Sequence, residues 1–178
     1  GNLAIYDNDA LTTFSLNDVT DVGGSLYIYE NYANTSISLN SLTNVWESIE
    51  IYNNSALTSL SLDELTYVYL NLRIQSNGAL TYMSLDSLTE VEGNIYIYDH
   101  AALTSLSFNS LTEVGGYLYI WSHASLSSFD FDSLTFTGSY VAILENPSLC
   151  QSLADALVAQ MVAAGWSGTT YNYSNASC

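Results

Sequence analysis

Along this chain, apolar residues alternate with polar ones in short bursts, and the bursts return every 23 residues. Leu3, Leu26, Ile49, Leu72, Ile95, Leu118 and Val141 form one column; Ile5, Ile28, Ile51, Ile74, Ile97, Ile120 and Ile143 form another two places on. A second burst contributes Phe14, Ile37, Leu60, Met83, Leu106 and Phe129, then Leu16, Leu39, Leu62, Leu85, Phe108 and Phe131. Val19, Leu42, Leu65, Leu88, Leu111 and Leu134 follow, each with threonine directly after it. No insertion breaks the register from residue 1 to about 148. Alternation at a period of two is strand patterning, and nothing within a copy has helical spacing. One copy cannot bury its own apolar side, whereas stacked copies bury each other's. The pattern therefore predicts an all-β, parallel β-solenoid of about seven 23-residue coils over residues 1–149. Each coil has two short strands joined by turns and is right-angled or triangular in section, with coils about 4.8 Å apart.

The patterning changes after Asn146-Pro147. Leu153, Ala156, Leu157, Val158, Met161 and Val162 recur at helical spacing and Gly165 supplies a stop. Residues 150–178 are expected to cap the same domain, with a helix across the open end of the last coil and then an extended segment. Cys150 and Cys178, the only cysteines, both lie there. Paired as one disulfide they imply an oxidising compartment and an extracellular protein; two buried free thiols are the alternative. The start at Gly1, already inside the repeat, fits a processed secreted chain.

Charge narrows the partners. Against 18 acidic residues stands Arg73 alone, a net charge of −17, which repels nucleic acid and anionic membranes. No apolar run approaches the roughly 18 residues of a membrane span, so no membrane insertion is expected. Salt or divalent cations would relieve the self-repulsion.

A turn after the first strand carries Asn8, Asn31, Asn54 and Asn77, then His100, His123 and Asn146. Stacked at one turn position, such side chains can bond backbone groups that the bend leaves open, so a structural ladder is expected. Gly23-Gly24, Gly93 and Gly115-Gly116 mark another corner. Asn34, Asn53, Asn172 and Asn175 head glycosylation sequons, usable in a host that glycosylates.

Strand alternation turns Tyr6, Tyr27, Tyr29, Tyr52, Tyr96, Tyr98, Tyr119 and Trp121 outward, in two columns interrupted by Glu50, Arg73 and Gln75. Rings about one strand spacing apart suit offset stacking, and this stripe is the candidate assembly or binding face. The second strand shows a small-hydroxyl face instead: Thr13 and Ser15, Ser36 and Ser38, Ser59 and Ser61, Ser105 and Ser107. That arrangement admits ice binding as a minor reading. Carboxylates also stack, Asp63 with Asp86 and Glu90 with Glu113, while Asp99, His100 and His123 lie close together. These are candidate ligands for calcium or another divalent cation, the one cofactor class the pattern allows, with solvated acids as the default. No nucleophile–base–orienter set and no phosphate-cradling loop is present, so no enzyme is expected.

The column pattern L-x-I, F/L-x-L, L-T, V-G over residues 1 to about 149 resembles the leucine-rich-like repeats of receptor L domains and related bacterial surface proteins. The closing "NPSLCQSLADALVAQ" with its final cysteine is similar to the end of some secreted bacterial members. The resemblance implies a right-handed solenoid outside the cell, with no catalytic residues to carry over. Functionally, the bare first coil, with Leu3 and Ile5 at its edge, contrasts with the capped C-terminal end. This predicts head-to-tail self-assembly into a filament. The alternative is a monomeric surface module that holds carbohydrate or a surface protein on the aromatic face.

Overall fold

The computed structural model describes residues 1–178. Coil 1 supplies β1 (Leu3–Tyr6), β2 (Thr13–Ser15) and β3 (Asp21–Val22); coil 2 supplies β4 (Leu26–Tyr29), β5 (Ser36–Ser38) and β6 (Asn44–Val45). Coil 3 gives β7 (Ile49–Tyr52), β8 (Ser59–Ser61) and β9 (Tyr67–Val68); coil 4 gives β10 (Leu72–Gln75), β11 (Tyr82–Ser84) and β12 (Glu90–Val91). Coil 5 holds β13 (Ile95–Tyr98), β14 (Ser105–Ser107) and β15 (Glu113–Val114); coil 6 holds β16 (Leu118–Trp121), β17 (Ser128–Asp130) and β18 (Phe136–Thr137). A seventh coil begins with β19 (Val141–Leu144), then gives way to α1 (Gln151–Ala163) and β20 (Thr170–Tyr173). Six coils are thus complete, each with a two-residue third strand beside the two that alternation reveals.

Every strand pairing is parallel, and all but the last, β19 with β20, keep the 23-residue repeat register, from Leu3 against Leu26 to Ile120 against Ile143. The first strands make one eight-stranded sheet, the third strands a six-stranded sheet, and the second strands two three-stranded sheets split between β8 and β11. Inward columns from all three sides fuse into one core. It includes a column the strand patterning leaves out, Leu57, Leu80, Leu103, Leu126 and Leu149, in which coil 2 places Asn34, fully buried.

Each coil turns out of its first strand through a residue in the left-handed region, with φ between 51° and 62° at Asp7, Glu30, Asn53, Ser76, Asp99, Ser122 and Glu145. None is glycine, although this conformation costs an ordinary residue roughly 1–2 kcal/mol. The ladder holds it in place. Asn31 Nδ2 donates to the Tyr29 carbonyl at 3.1 Å, Asn54 Nδ2 to that of Tyr52 at 3.2 Å and Asn146 Nδ2 to that of Leu144 at 3.1 Å, each bridging the strained residue. The repeated threonines tie successive coils together: Thr43 Oγ1 donates to the Thr20 carbonyl at 2.9 Å, and Thr66 and Thr89 each repeat the bond one coil on at 3.0 Å.

At the C-terminal end two devices share the cover. Helix α1 buries Ala154, Leu157 and Met161, while Leu153 and Val162, expected on its inner face, point to solvent. Gln160 Nε2 donates to the carbonyls of Phe131, Asp132 and Leu134 at 2.8–3.0 Å, and Trp166 Nε1 to that of Thr137 at 2.8 Å. The helix therefore closes the second and third sides. The first side is closed by β20, parallel to β19, with Thr170 against Val141 and Tyr173 against Leu144. Ser174 takes the left-handed position at φ 59°, and Asn175 takes the ladder position, its Oδ1 accepting from Asn146 N–H at 3.2 Å. Cys150, just before α1, is bonded to Cys178 with Cα atoms 5.7 Å apart. No helix is long and apolar enough to cross a membrane.

Candidate functional site: an aromatic stripe around one cation

The eight-stranded sheet aligns the outward residues of every first strand. Tyr6 and Tyr29 stack with ring centroids 4.8 Å apart, and Tyr29 and Tyr52 at 4.7 Å, both pairs within 2° of parallel. Such contacts contribute about 0.5–1.5 kcal/mol per pair beyond area burial. In coil 4 the column breaks at Gln75, and Arg73 bridges the break. Its guanidinium carbon stands 5.8 Å from the ring centroids of both Tyr52 and Tyr98. Nη2 donates to Tyr98 Oη at 2.7 Å and Nε to Gln75 Oε1 at 2.6 Å, while Tyr98 Oη also bonds Gln75. Glu50 lies 3.9 Å from Nη1; an ion pair this exposed contributes under about 1 kcal/mol. The only basic side chain therefore sits in mid-rod, continuing the stack where a ring is missing.

Beyond the break, Tyr98 meets Trp121 at 5.9 Å and Tyr96 meets Tyr119 edge-on at 6.3 Å. Ala142 and Leu144, the next outward positions of the column, are buried. β20 then carries the stripe one strand further with Tyr171 and Tyr173, an extension the sequence reading missed. Burial raises the phenols of Tyr29, Tyr52, Tyr96 and Tyr119 above their ordinary range, and neighbouring phenols add to the rise. Apart from Arg73 and Glu50, the stripe is built from residues of uncharged type. Where rings stack in parallel their faces are consumed by each other, and they present edges and hydroxyls outward.

The candidate metal ligands are not brought together: no group of three or more His, Cys, Asp or Glu is arranged to hold an ion. The reading of His100 and His123 as ligands is corrected. Both are fully buried and stand in for asparagine in the ladder. Nδ1 of His100 accepts from Asn77 N–H and Nδ1 of His123 from His100 N–H, both at 3.3 Å, while each Nε2–H donates at 3.1 Å, to the carbonyls of Ile74 and Ile97 respectively. No ring lone pair is left for a cation. Asp99 points away at the corner, with Ser122 and Glu145 beside a shallow hollow. Asp86 accepts from Ser107 Oγ and Asn109 N–H, Asp63 from Ser61 Oγ, and Glu90 lies in register with Glu113. Burial raises the Glu90 carboxyl, and Glu92 and Glu113 push it further. The sequon at Asn34 is likewise corrected, because a fully buried amide cannot carry a glycan in the folded state.

A second ladder escaped the sequence reading. Asn2 Oδ1 accepts from Ser25 N–H at 2.9 Å, Asn71 Oδ1 from Asn94 N–H at 3.0 Å and Asn94 Oδ1 from Tyr117 N–H at 2.9 Å. Its signal is the mixed run Asn2, Ser25, Ser48, Asn71, Asn94, spaced by the repeat. Comparison with family models, curated proteins and solved structures returns no match.

Proposed function

We propose that this chain is an extracellular structural protein whose copies join end to end into a filament, with the aromatic stripe running along it. The polarity of the asparagine ladder is the observation that carries this reading. Each coil's backbone N–H donates to the side chain of the next coil, from Asn8 N–H onto Asn31 Oδ1 through to Asn146 N–H onto Asn175 Oδ1. Within residues 1–178, Asn8 Oδ1 accepts no bond and Asn175 N–H donates none. Setting β20 of one copy parallel to β1 of the next joins these two groups. It also lays Tyr173 over Tyr6 and covers Leu3 and Ile5, which the first coil leaves half-buried. Contacts between unlike ends propagate instead of closing. The Cys150–Cys178 bond and the likeness of the repeat to secreted solenoids support the extracellular placement.

Electron microscopy of residues 1–178 should show filaments with an axial rise of roughly 38 Å per subunit, eight strands at about 4.8 Å. Raising the ionic strength should promote them, because each copy carries −17. Ile5→Glu, an inward charge on the edge strand, should abolish filaments while leaving the circular dichroism unchanged. Monodisperse monomers in sedimentation at every protein and salt concentration would reject the proposal. A second reading, a monomer that binds carbohydrate or a surface protein, draws on the cleft between Arg73, Tyr96 and Tyr98. Monomers retained by such a partner would favour it.

A further inference from the structure

The corner after the third strand is built for glycine. A Cβ added at Gly115 would strike the Glu92 carbonyl, and one at Gly138 would strike that of Gly115, because successive coils approach closely there. Coils 2 and 3 nevertheless place Trp46-Glu47 and Tyr69-Leu70 at the two corner positions that Gly115-Gly116 occupies later. The backbone gives slightly to admit them. Trp46 N–H and Tyr69 N–H reach the carbonyls of Val22 and Val45 at 3.0 Å, against 2.8 Å for Gly115 and Gly138 to their own partners. None of these side chains belongs to the core: Trp46 is 52% exposed, Tyr69 48% and Leu70 43%. Glycine is replaced at the first corner position in three successive coils, by Trp46, Tyr69 and Glu92, and two of these replacements leave large aromatic groups in water, which folding does not require.

Ring orientation separates this patch from the parallel stack of Tyr6, Tyr29 and Tyr52. Tyr67 stands between the two, 6.1 Å from Trp46 at 63° and 6.5 Å from Tyr69 at 50°. The broad faces of the indole and phenol are therefore not covered by parallel neighbours. Carboxylates flank the patch: Glu92 accepts from Tyr67 Oη at 2.9 Å, Glu47 accepts from Ser25 Oγ at 2.9 Å, and Glu90 lies in register beside Tyr67. Burial and the Glu92 bond push the Tyr67 phenol up to about 12, so it stays a hydrogen-bond donor.

We propose that Trp46 and Tyr69 form a binding platform for a neutral polysaccharide. Open aromatic faces pack against the C–H faces of sugar rings, burying apolar area without asking for a charge. The Glu47 and Glu92 carboxylates have acceptor capacity left over for sugar hydroxyls. The net charge of −17 excludes acidic polysaccharides and nucleic acid from the same surface. Trp and Tyr are also among the residue types that carry most of the binding energy at protein interfaces. The platform lies on a different side from the stripe and does not depend on end-to-end assembly.

The test is affinity electrophoresis of the folded chain in native gels containing a soluble β-glucan, xylan or galactomannan, with polygalacturonate as the anionic comparison. Retardation is expected in at least one neutral gel, unchanged by added salt. Trp46→Gly with Tyr69→Gly installs the residue the repeat itself uses at this corner, and should weaken binding at least about tenfold, the scale of losing an anchoring aromatic. Trp46→Ala alone serves if the double variant loses its circular dichroism, and Tyr82→Ser, an exposed ring on another side, should bind as the parent does. Filament formation should be the same in all three. No retardation in any neutral gel, retardation in polygalacturonate alone, or equal retardation of parent and folded Trp46 variants overturns the proposal.

Discussion

Leucine in place of Asn54 should lower the unfolding free energy by roughly 3–5 kcal/mol, whereas leucine in place of Asn34 should raise it by roughly 1–3 kcal/mol. Both asparagines are fully buried and they lie 20 residues apart, in neighbouring coils. They differ in what their amides touch. Asn54 Oδ1 accepts from the backbone and side chain of Asn31, both at 3.2 Å, and Nδ2 donates to the Ile28 carbonyl at 3.1 Å and the Tyr52 carbonyl at 3.2 Å. Leucine there strands a buried N–H and a buried C=O and removes the brace over the left-handed Asn53. Asn34 has no partner for either amide atom and occupies a column that the other buried coils fill with leucine. Leucine there removes an unmet desolvation cost and adds apolar contact. In a domain of this size each kcal/mol moves the melting temperature about 2–4 °C, so the two variants should melt on opposite sides of the parent. Guanidinium titration of all three checks it, and an Asn34→Leu protein no more stable than the parent would show that the amide is satisfied in solution.

Acid should weaken the parent far more than a variant in which His100 and His123 are both asparagine. Burial drives both imidazoles below their ordinary range, His123 to about 3, with the neighbouring His100 pushing it further down. The rings stack at 5.4 Å and within 9°; a proton on His123 Nδ1 would face the His100 N–H it now accepts from, while one on His100 Nδ1 would meet the N–H and the carbonyl of Asn77. The folded state therefore binds fewer protons than the unfolded chain. Stability is fully present above about 6.5 and falls as the pH drops toward 3, by up to about 1.4 kcal/mol per pH unit for each ring. Asp99 is the one acid that opposes the shift at His100. Asp86 and Glu90, shifted in opposite directions, are common to both proteins and cancel in the comparison, as do the other carboxylates. Urea midpoints measured from pH 7 to pH 4 should diverge; parallel curves would mean that the histidines are not held neutral.

The repeat was legible because its period never slips: 23-residue columns fixed the strands, their parallel register, the outward tyrosines and the ladder. What escaped obeys other constraints. The third strand spans two residues, too few for alternation to register. β20 follows β19 by 29 residues instead of 23, and its inward residues, Thr170 and Asn172, are polar, so no apolar column points to it. The histidines were recognisable as ladder members, but only the buried geometry shows both ring nitrogens engaged. Trp46 and Tyr69 sat unremarked in a corner read as glycine. Asn34 heads a sequon, and its place in a leucine column becomes visible only once the second turn position is aligned.

Since every coil meets only its two neighbours, and meets them in the same register, a stretch of one full period can be excised or duplicated without disturbing any hydrogen bond away from the splice. Rod length can thus change by whole periods, a freedom that proteins with a single interlocked core do not have.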